Sequence, residues 1–377
     1  MAQPDVIVVG GGVMGLATGA ALAGRGAHVT VLERQAIAHP WASSHGLSRA
    51  IRHEYGPNRI YTEMVARSFG LWAALAEETN RHLYTETGVL TLGVTGDGHT
   101  MEGYQVMQDA GLPVALLTTE DLRRRFPQFR VQDDYDCVTY NPRGGYLAAD
   151  ECMQALAQRL RARGGQLQEG ARALRVETSG SDGGRVVLDC GDVMAADRVV
   201  VTAGPWVRDV LPDLALPLRI TRQQVCYFHA PSAPALAVGS FPVFLASMEY
   251  YGFPVHGPDL FKVGIHTFGA EVDPNQPYDP SMEEVEQVRE FLKRVIPSAS
   301  DLPFAMADRC MYDVSPDEDF ILDRLPGAPG VVLGSGFSGH GFKFGVLIGE
   351  LLAALALEEE PAIPLDRFRI DRFMAHL

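Results

Sequence analysis

Three basic side chains in the segment SSHGLSRAIRHEYG, namely His45, Arg49 and Arg52, stand at i, i+4 and i+7. Read as a short helix, that spacing stacks them on one face, because residues three and four apart are helical neighbours. The nearby acid, Glu54, falls off the stripe. Such a face is a receptor for an anion, and position alone does not say which. A second group alternates in FKVGIHTF: as a strand, Lys262 and His266 share a face, with Gly264 leaving room between them. A third alternates in DRCMYD, where Cys310 and Tyr312 would share a strand face. The fourth is Gly10-x-Gly12-x-x-Gly15. Its first glycine permits a tight turn, its second lets the backbone approach a pyrophosphate, and its third lets helix and strand touch.

The elements that must hold these groups follow from apolar patterning. Val6–Val9 is a continuous apolar run, which suits a strand buried on both faces of a parallel sheet. Small residues from Gly15 to Ala23 suit a helix packed close to that sheet, and His28 to Leu32 resumes as a second buried strand. This βαβ unit opens a doubly wound domain, with free N–H groups and the positive end of the helix facing the phosphates. Glu33 ends the second strand about 20 residues on, where the acid that binds a ribose belongs. It also disfavours a 2′-phosphate, which makes NADP the poorest dinucleotide candidate. Late in the chain, GSGFSGHGFKFG again feeds a strand into a glycine turn. A reduced flavin carries negative charge that a helix N-terminus stabilises, and Gly336, Gly339 and Gly341 would let backbone amides come close. An ordinary βα loop fits that turn equally well, so the choice between FAD and NAD stays open on these grounds.

Elsewhere, periodicity predicts helices over 60–78, 150–163 and 281–295, and a capped short helix in TTEDLRRRFP. Segments 166–201, 217–230, 241–253 and 259–268 read as strands. The expected fold class is α/β: a Rossmann-type domain from 1–82, 148–215 and 310–377, plus a β-sheet-rich α+β substrate domain from 83–147 and 216–309.

Composition narrows the partners. The chain has 377 residues with 47 Asp and Glu against 32 Lys and Arg, a formal charge of −15. That balance argues against nucleic acid, which needs clustered cations. Five scattered cysteines without a CxxC pair argue against a disulfide framework or structural zinc, and no metal is expected. The opening MAQPDVIVVGGG has no basic leader, and the apolar VLIGELLAALAL is short and carries Glu350, so neither export nor membrane insertion is expected. A cytoplasmic location is the expectation, with a peroxisomal one only if the terminal Ala375-His376-Leu377 is a targeting signal.

Across essentially its whole length the sequence resembles the monomeric sarcosine oxidase family, which includes N-methyltryptophan and pipecolate oxidases. The resemblance is carried by SSHGLSRAIRHEYG, TETGVLTLG, TAGPW, YYGFP, KVGIHTFG, CMYDVSPDEDFILDRLP and GFSGHGFKF. It implies an FAD enzyme whose flavin is joined through its 8α-methyl carbon to Cys310. The implied reaction oxidises a secondary amino acid, sarcosine first, with dioxygen as acceptor. The products are glycine, formaldehyde and hydrogen peroxide; L-pipecolate or a larger N-methyl amino acid is the alternative substrate.

The resemblance also implies roles. Arg52 and Lys343 bind the substrate carboxylate, and Tyr251 lines the pocket. Lys262 promotes reaction with oxygen, a sound role for a fixed cation in a dry site. His45 and Arg49 lie near the flavin ring, with His266 and Tyr312 completing the catalytic set. Gly10, Gly12, Gly15, Glu33, Ser44, Gly339 and Lys343 border the cofactor. Arg309 is the expected cation beside Cys310, where it would favour the thiolate. The implied partners are only an amino-acid substrate and O2, and a monomer is expected.

Overall fold

Val-rich runs assemble the first sheet. The computed structural model describes residues 3–131, 135–178, 183–277 and 279–376. Six strands run in the order Ile321–Leu325, Ala328–Ser335, Arg198–Val201, Asp5–Val9, His28–Glu33 and Gln166–Glu169. Every neighbouring pair is parallel except the outermost, Ile321–Leu325 against Ala328–Ser335. Both faces of the central strands are covered, which is why Val6–Val9, Val199–Val201 and Val331–Leu333 are apolar at consecutive positions rather than at alternate ones. Val6, Val8, Val29 and Val31 pack among the helices Val13–Gly24, Ala149–Ala162 and Gly345–Ala356. Ile7, Val9, Val199 and Val201 instead meet a three-stranded antiparallel sheet of Ala173–Thr178, Gly184–Leu188 and Val193–Ala196.

The second sheet has eight strands. Their order is Phe304–Val314, Arg219–His229, Leu260–Ile265, Tyr250–His256, Val243–Ala246, Val89–Gly93, Cys137–Asn141 and Ala115–Leu117. Period-two alternation gives it one greasy face and one chemical face. Phe228, Phe244, Phe261 and Val263 pack against Val285, Val288, Phe291 and Leu292 of the helix Met282–Val295. Ser281 caps that helix by accepting from the Glu284 N–H at 3.3 Å. The residues between them, Tyr227, Lys262 and Tyr251, face a cavity on the opposite side.

One expectation is overturned here. SSHGLSRAIRHEYG is not a helix: Ser48–Ile51 is a strand, paired antiparallel to Gly145–Ala148. Gly46 sits at φ +120°, outside helical space, and the pairing satisfies the backbone that a helix would have satisfied internally. His45, Arg49 and Arg52 therefore form no helical stripe. The boundary expected at residue 310 falls inside the strand Phe304–Val314, so Cys310 belongs to the eight-stranded sheet. The helix in TTEDLRRRFP forms as Thr119–Arg125, with a Thr118–Asp121 capping box. A helix at Thr100–Asp109, continuous through the buried Gly103, has no counterpart in the sequence reading. Among the described residues no helix is long and apolar enough to cross a membrane. The terminal tripeptide ends on Leu377, outside the described residues.

Candidate active site

The glycine turn between the first strand and first helix is built as the motif requires. Gly10 has φ +103°, and a Cβ there would lie 2.5 Å from the Thr202 carbonyl oxygen. A Cβ on Gly15 would lie 1.8 Å from the Gly10 carbonyl, so helix and strand touch only because that carbon is missing. Gly12 caps the helix in extended backbone. Ser44 reaches in from the cationic segment, its Oγ accepting from Val13 N–H at 3.0 Å. Glu33 is buried, and its carboxylate accepts from Gly11 N–H at 2.9 Å and Gln35 N–H at 3.0 Å.

From this turn a cavity of about 350 Å3 opens between the two large sheets. Gly10, Gly12, Glu33 and Ser44 line it, as do Cys310, Lys262 and Lys343. The geometry thus brings together every residue expected at the site except Gly15, whose part is to set the turn, and Gly336, whose N–H is taken by Asp313.

Lys262 is 1% exposed, on an inner strand of the eight-stranded sheet. Its Nζ donates to the Ser48 carbonyl at 2.7 Å and lies 4.6 Å from the Phe253 ring centre. Burial first, and then Arg49, hold its pKa well below the ordinary lysine value, while Asp308 and Cys310 pull the other way. Gly264 makes room for the Tyr251 ring, whose Cζ would lie 2.5 Å from an added Cβ; the expected gap between Lys262 and His266 is filled in this way. His266 follows the strand, edge-on to Tyr251 at 6.1 Å, and burial lowers its pKa to about 4.

Cys310 and Tyr312 share a face of their strand and both line the cavity. Burial pushes the Cys310 thiol up, and the cations that bear most on it are Arg49 and Lys262. Arg309, the cation singled out from the sequence, also lines the cavity, its guanidinium stacked 4.7 Å over Trp41. Tyr312 lies against Gly339, which has φ +76° and where a Cβ would come within 2.2 Å of the ring.

Arg49 is pinned by donation to the carbonyls of Ser48 at 2.9 Å and Ser43 at 3.1 Å. His45 Nδ1 donates to the Ala38 carbonyl at 2.9 Å and lies 3.7 Å from Asp150, an acidic partner the sequence did not reveal. Arg52 and Lys343 are each 5% exposed. Lys343 Nζ donates to the Tyr55 hydroxyl at 2.8 Å and the His340 carbonyl at 2.9 Å. Burial, and then Arg52, hold its pKa well below the usual value. The Arg52 guanidinium stands 5.0 Å over the Tyr55 ring, and its Nη1 is buried with no hydrogen-bond partner. Two buried cations with an unsatisfied donor are what a buried carboxylate would need.

Sequence reasoning missed several groups that line the site or hold its lining residues. Tyr55 stands three residues after Arg52 and His340 sits inside GFSGHGFKF, so both were in quoted segments without being singled out. Asp308, two residues before Cys310 on the same strand face, needed only the same alternation. Asp313 accepts from Gly336 N–H at 2.8 Å and so holds the closing glycine turn; burial raises its pKa to about 6.

Residues 5–355 match the family described as FAD-dependent oxidoreductase. Over 98% of the chain, the monomeric sarcosine oxidase of Bacillus sp. is 34% identical, with 96% of that protein covered. The N-methyl-L-tryptophan oxidase of Yersinia pestis is 32% identical, with 98% and 99% covered. Among solved structures, NikD, an unusual amino acid oxidase essential for nikkomycin biosynthesis, superposes in its open form with TM-score 0.82 at 25% identity, over 98% of both chains. The L-proline dehydrogenase of P. horikoshii has the same fold, with TM-score 0.87 at 21% identity, over 99% and 98% of the two chains.

Proposed function

The chain belongs to the FAD-dependent oxidoreductase family, and on that premise we propose that it is a covalent-FAD oxidase of secondary, N-methylated amino acids, sarcosine foremost. The reaction is sarcosine + O2 + H2O to glycine + formaldehyde + H2O2. The observation that carries this reading is the pair of buried cations, Arg52 and Lys343, opening on the same cavity as Lys262 and Cys310.

The residues fit the cofactor. The Gly10 turn is a cradle that a Cβ would fill, and Glu33 stands where a ribose acceptor is required. Bound there, FAD would take two electrons from the carbon next to the substrate nitrogen and pass them to dioxygen. Gly12 and Ser44 would border the pyrophosphate, and Gly339 and Lys343 the ring. Cys310 is the proposed attachment point, with Arg49 and Lys262 favouring its thiolate against the cost of burial.

The protein's own work is binding, orientation and charge. Arg52 offers its unpartnered Nη1 and Lys343 its ammonium to the substrate carboxylate. Tyr251 and Tyr312 wall the cavity and keep water from the amine, with the neutral imidazole of His266 beside them. Arg49, fixed to backbone carbonyls, holds positive charge near the redox centre, and His45, fixed to the Ala38 carbonyl, stands beside it. Lys262, anchored on Ser48, stabilises the negative charge that develops on oxygen. The enzyme is proposed to act as a cytoplasmic monomer, with 1–82, 148–215 and the chain beyond the strand Phe304–Val314 serving the cofactor and the remainder the substrate.

Acid precipitation of the purified protein tests the linkage: the pellet should be yellow, and colour left in the supernatant rejects Cys310 as the attachment point. A peroxide assay over sarcosine, larger N-methyl amino acids, L-pipecolate and proline tests the substrate, with sarcosine expected to give the highest kcat/KM. A second reading, an oxidase of N-methyltryptophan or another larger amine, is favoured by the nearly equal identity to the Yersinia pestis enzyme. Peroxide from N-methyltryptophan but not sarcosine would select it.

A further inference from the structure

Two residues beyond Arg52 the chain buries an acid. Glu54 is 5% exposed, and both its carboxylate oxygens are buried without a hydrogen-bond partner, like Nη1 of Arg52. The Asn141 side chain and the backbone N–H groups of His53 and Glu54 are its polar neighbours, near enough to favour its charge but not aligned as hydrogen bonds. Burial raises its pKa, and Arg52 pulls it back. The charge of Glu54 is also felt at Lys343 and Tyr55. The imidazoles around this end are held neutral: burial lowers His53, His99 and His266 to about 4 and depresses His340 as well. The charges that decide how this end receives an anion are therefore Arg52, Lys343 and Glu54.

A buried carboxylate with no well-formed partner is costly, and an apolar side chain at this position would avoid the cost. Its charge is what needs explaining. With Glu54 ionised, the two cations and one acid leave one net positive charge. A single incoming carboxylate brings that to zero, whereas a second carboxylate would leave net negative charge in a dry site. We infer that Glu54 sets the charge of the anion receptor through Arg52, so that the pocket accepts one carboxylate and refuses two. Glu54 is a positioning residue, and the inference rests on the reading of Arg52 and Lys343 as the carboxylate receptor.

The test titrates the flavin-loaded enzyme with acetate and with malonate over a series of pH values, following the perturbation of flavin absorbance, and compares the two anions at the pH where acetate binds most tightly. The unsubstituted enzyme should bind acetate more tightly than malonate; equal affinity overturns the inference without any variant. Glu54→Gln should bind both anions more tightly, malonate gaining the more, by about tenfold. A residue that only supports the fold would weaken both anions on substitution, and that result, or unchanged selectivity, overturns the inference. If Glu54→Gln does not fold, Glu54→Ala removes the same charge and carries the same expectation. Arg52→Gln separates the two levels. If it leaves both anions bound as before, the carboxylate receptor itself is misplaced; if it weakens both while Glu54→Gln changes nothing, only the role of Glu54 fails.

Discussion

The cavity contains two buried lysines whose surroundings differ. Lys262 comes from the middle of the eight-stranded sheet, donates to a backbone carbonyl, and is balanced by Asp308 and Cys310 against Arg49. Lys343 comes from the closing glycine turn, donates to a hydroxyl and a carbonyl, and faces a second cation, Arg52, against Glu54. The first is a charge tied to a backbone carbonyl on a rigid sheet, a setting suited to stabilising charge that appears briefly. The second stands beside Arg52, whose Nη1 has no partner, a setting suited to an anion that arrives and stays. On the proposed reading, one residue type serves reaction at one end of the cavity and recognition at the other.

Substitutions should separate these two ends by kinetic phase. Lys262→Met should have the largest effect: peroxide formation falls by a factor on the order of 10²–10³, while anaerobic flavin reduction by sarcosine persists. Unchanged oxidase turnover in stopped-flow measurements would remove Lys262 from the oxygen step. Arg52→Ala should lower kcat/KM on the order of 100-fold, mainly through KM. Arg49→Ala should slow anaerobic reduction by about tenfold with KM little changed. If the two arginine variants move the same parameter equally, the division of the cavity collapses. The smallest effect is with pH. Lys343 has a lowered pKa, so its charge is present below that value and lost above it. Carboxylate affinity should therefore weaken by about fivefold as pH rises through this titration, and Lys343→Met should abolish that step. A step that survives in Lys343→Met belongs to another group.

The sequence made some of this legible. The βαβ unit could be read because buried parallel strands are apolar throughout, and the glycine spacing because close approach tolerates no other residue. Alternation in FKVGIHTF was enough to place Lys262 on the cavity side of its strand. The cationic segment was misread because spacing of three and four is compatible with a helix until Gly46 and the partner strand Gly145–Ala148 are seen. That partner lies about a hundred residues away, and pairing over such separations leaves no local trace. The same holds for electrostatics: Asp150 beside His45 and Arg49 beside Cys310 are tertiary neighbours. Singling out Arg309 gave weight to adjacency in sequence, whereas Arg49 and Lys262 bear on Cys310 from other strands.

The six-stranded sheet joins Val6 to Arg198 and Val199 to Val331 in register. Its central strands are thus gathered from the two ends and the middle of the chain. During synthesis the glycine turn after Val9 emerges first, yet its neighbour Thr202 arrives almost two hundred residues later and the closing turn at Gly339 later still. The dinucleotide cleft can therefore close only once residues 328–345 are in place, and a fragment without them would lack both the strand that pairs with Val199–Val201 and the turn that completes the cavity.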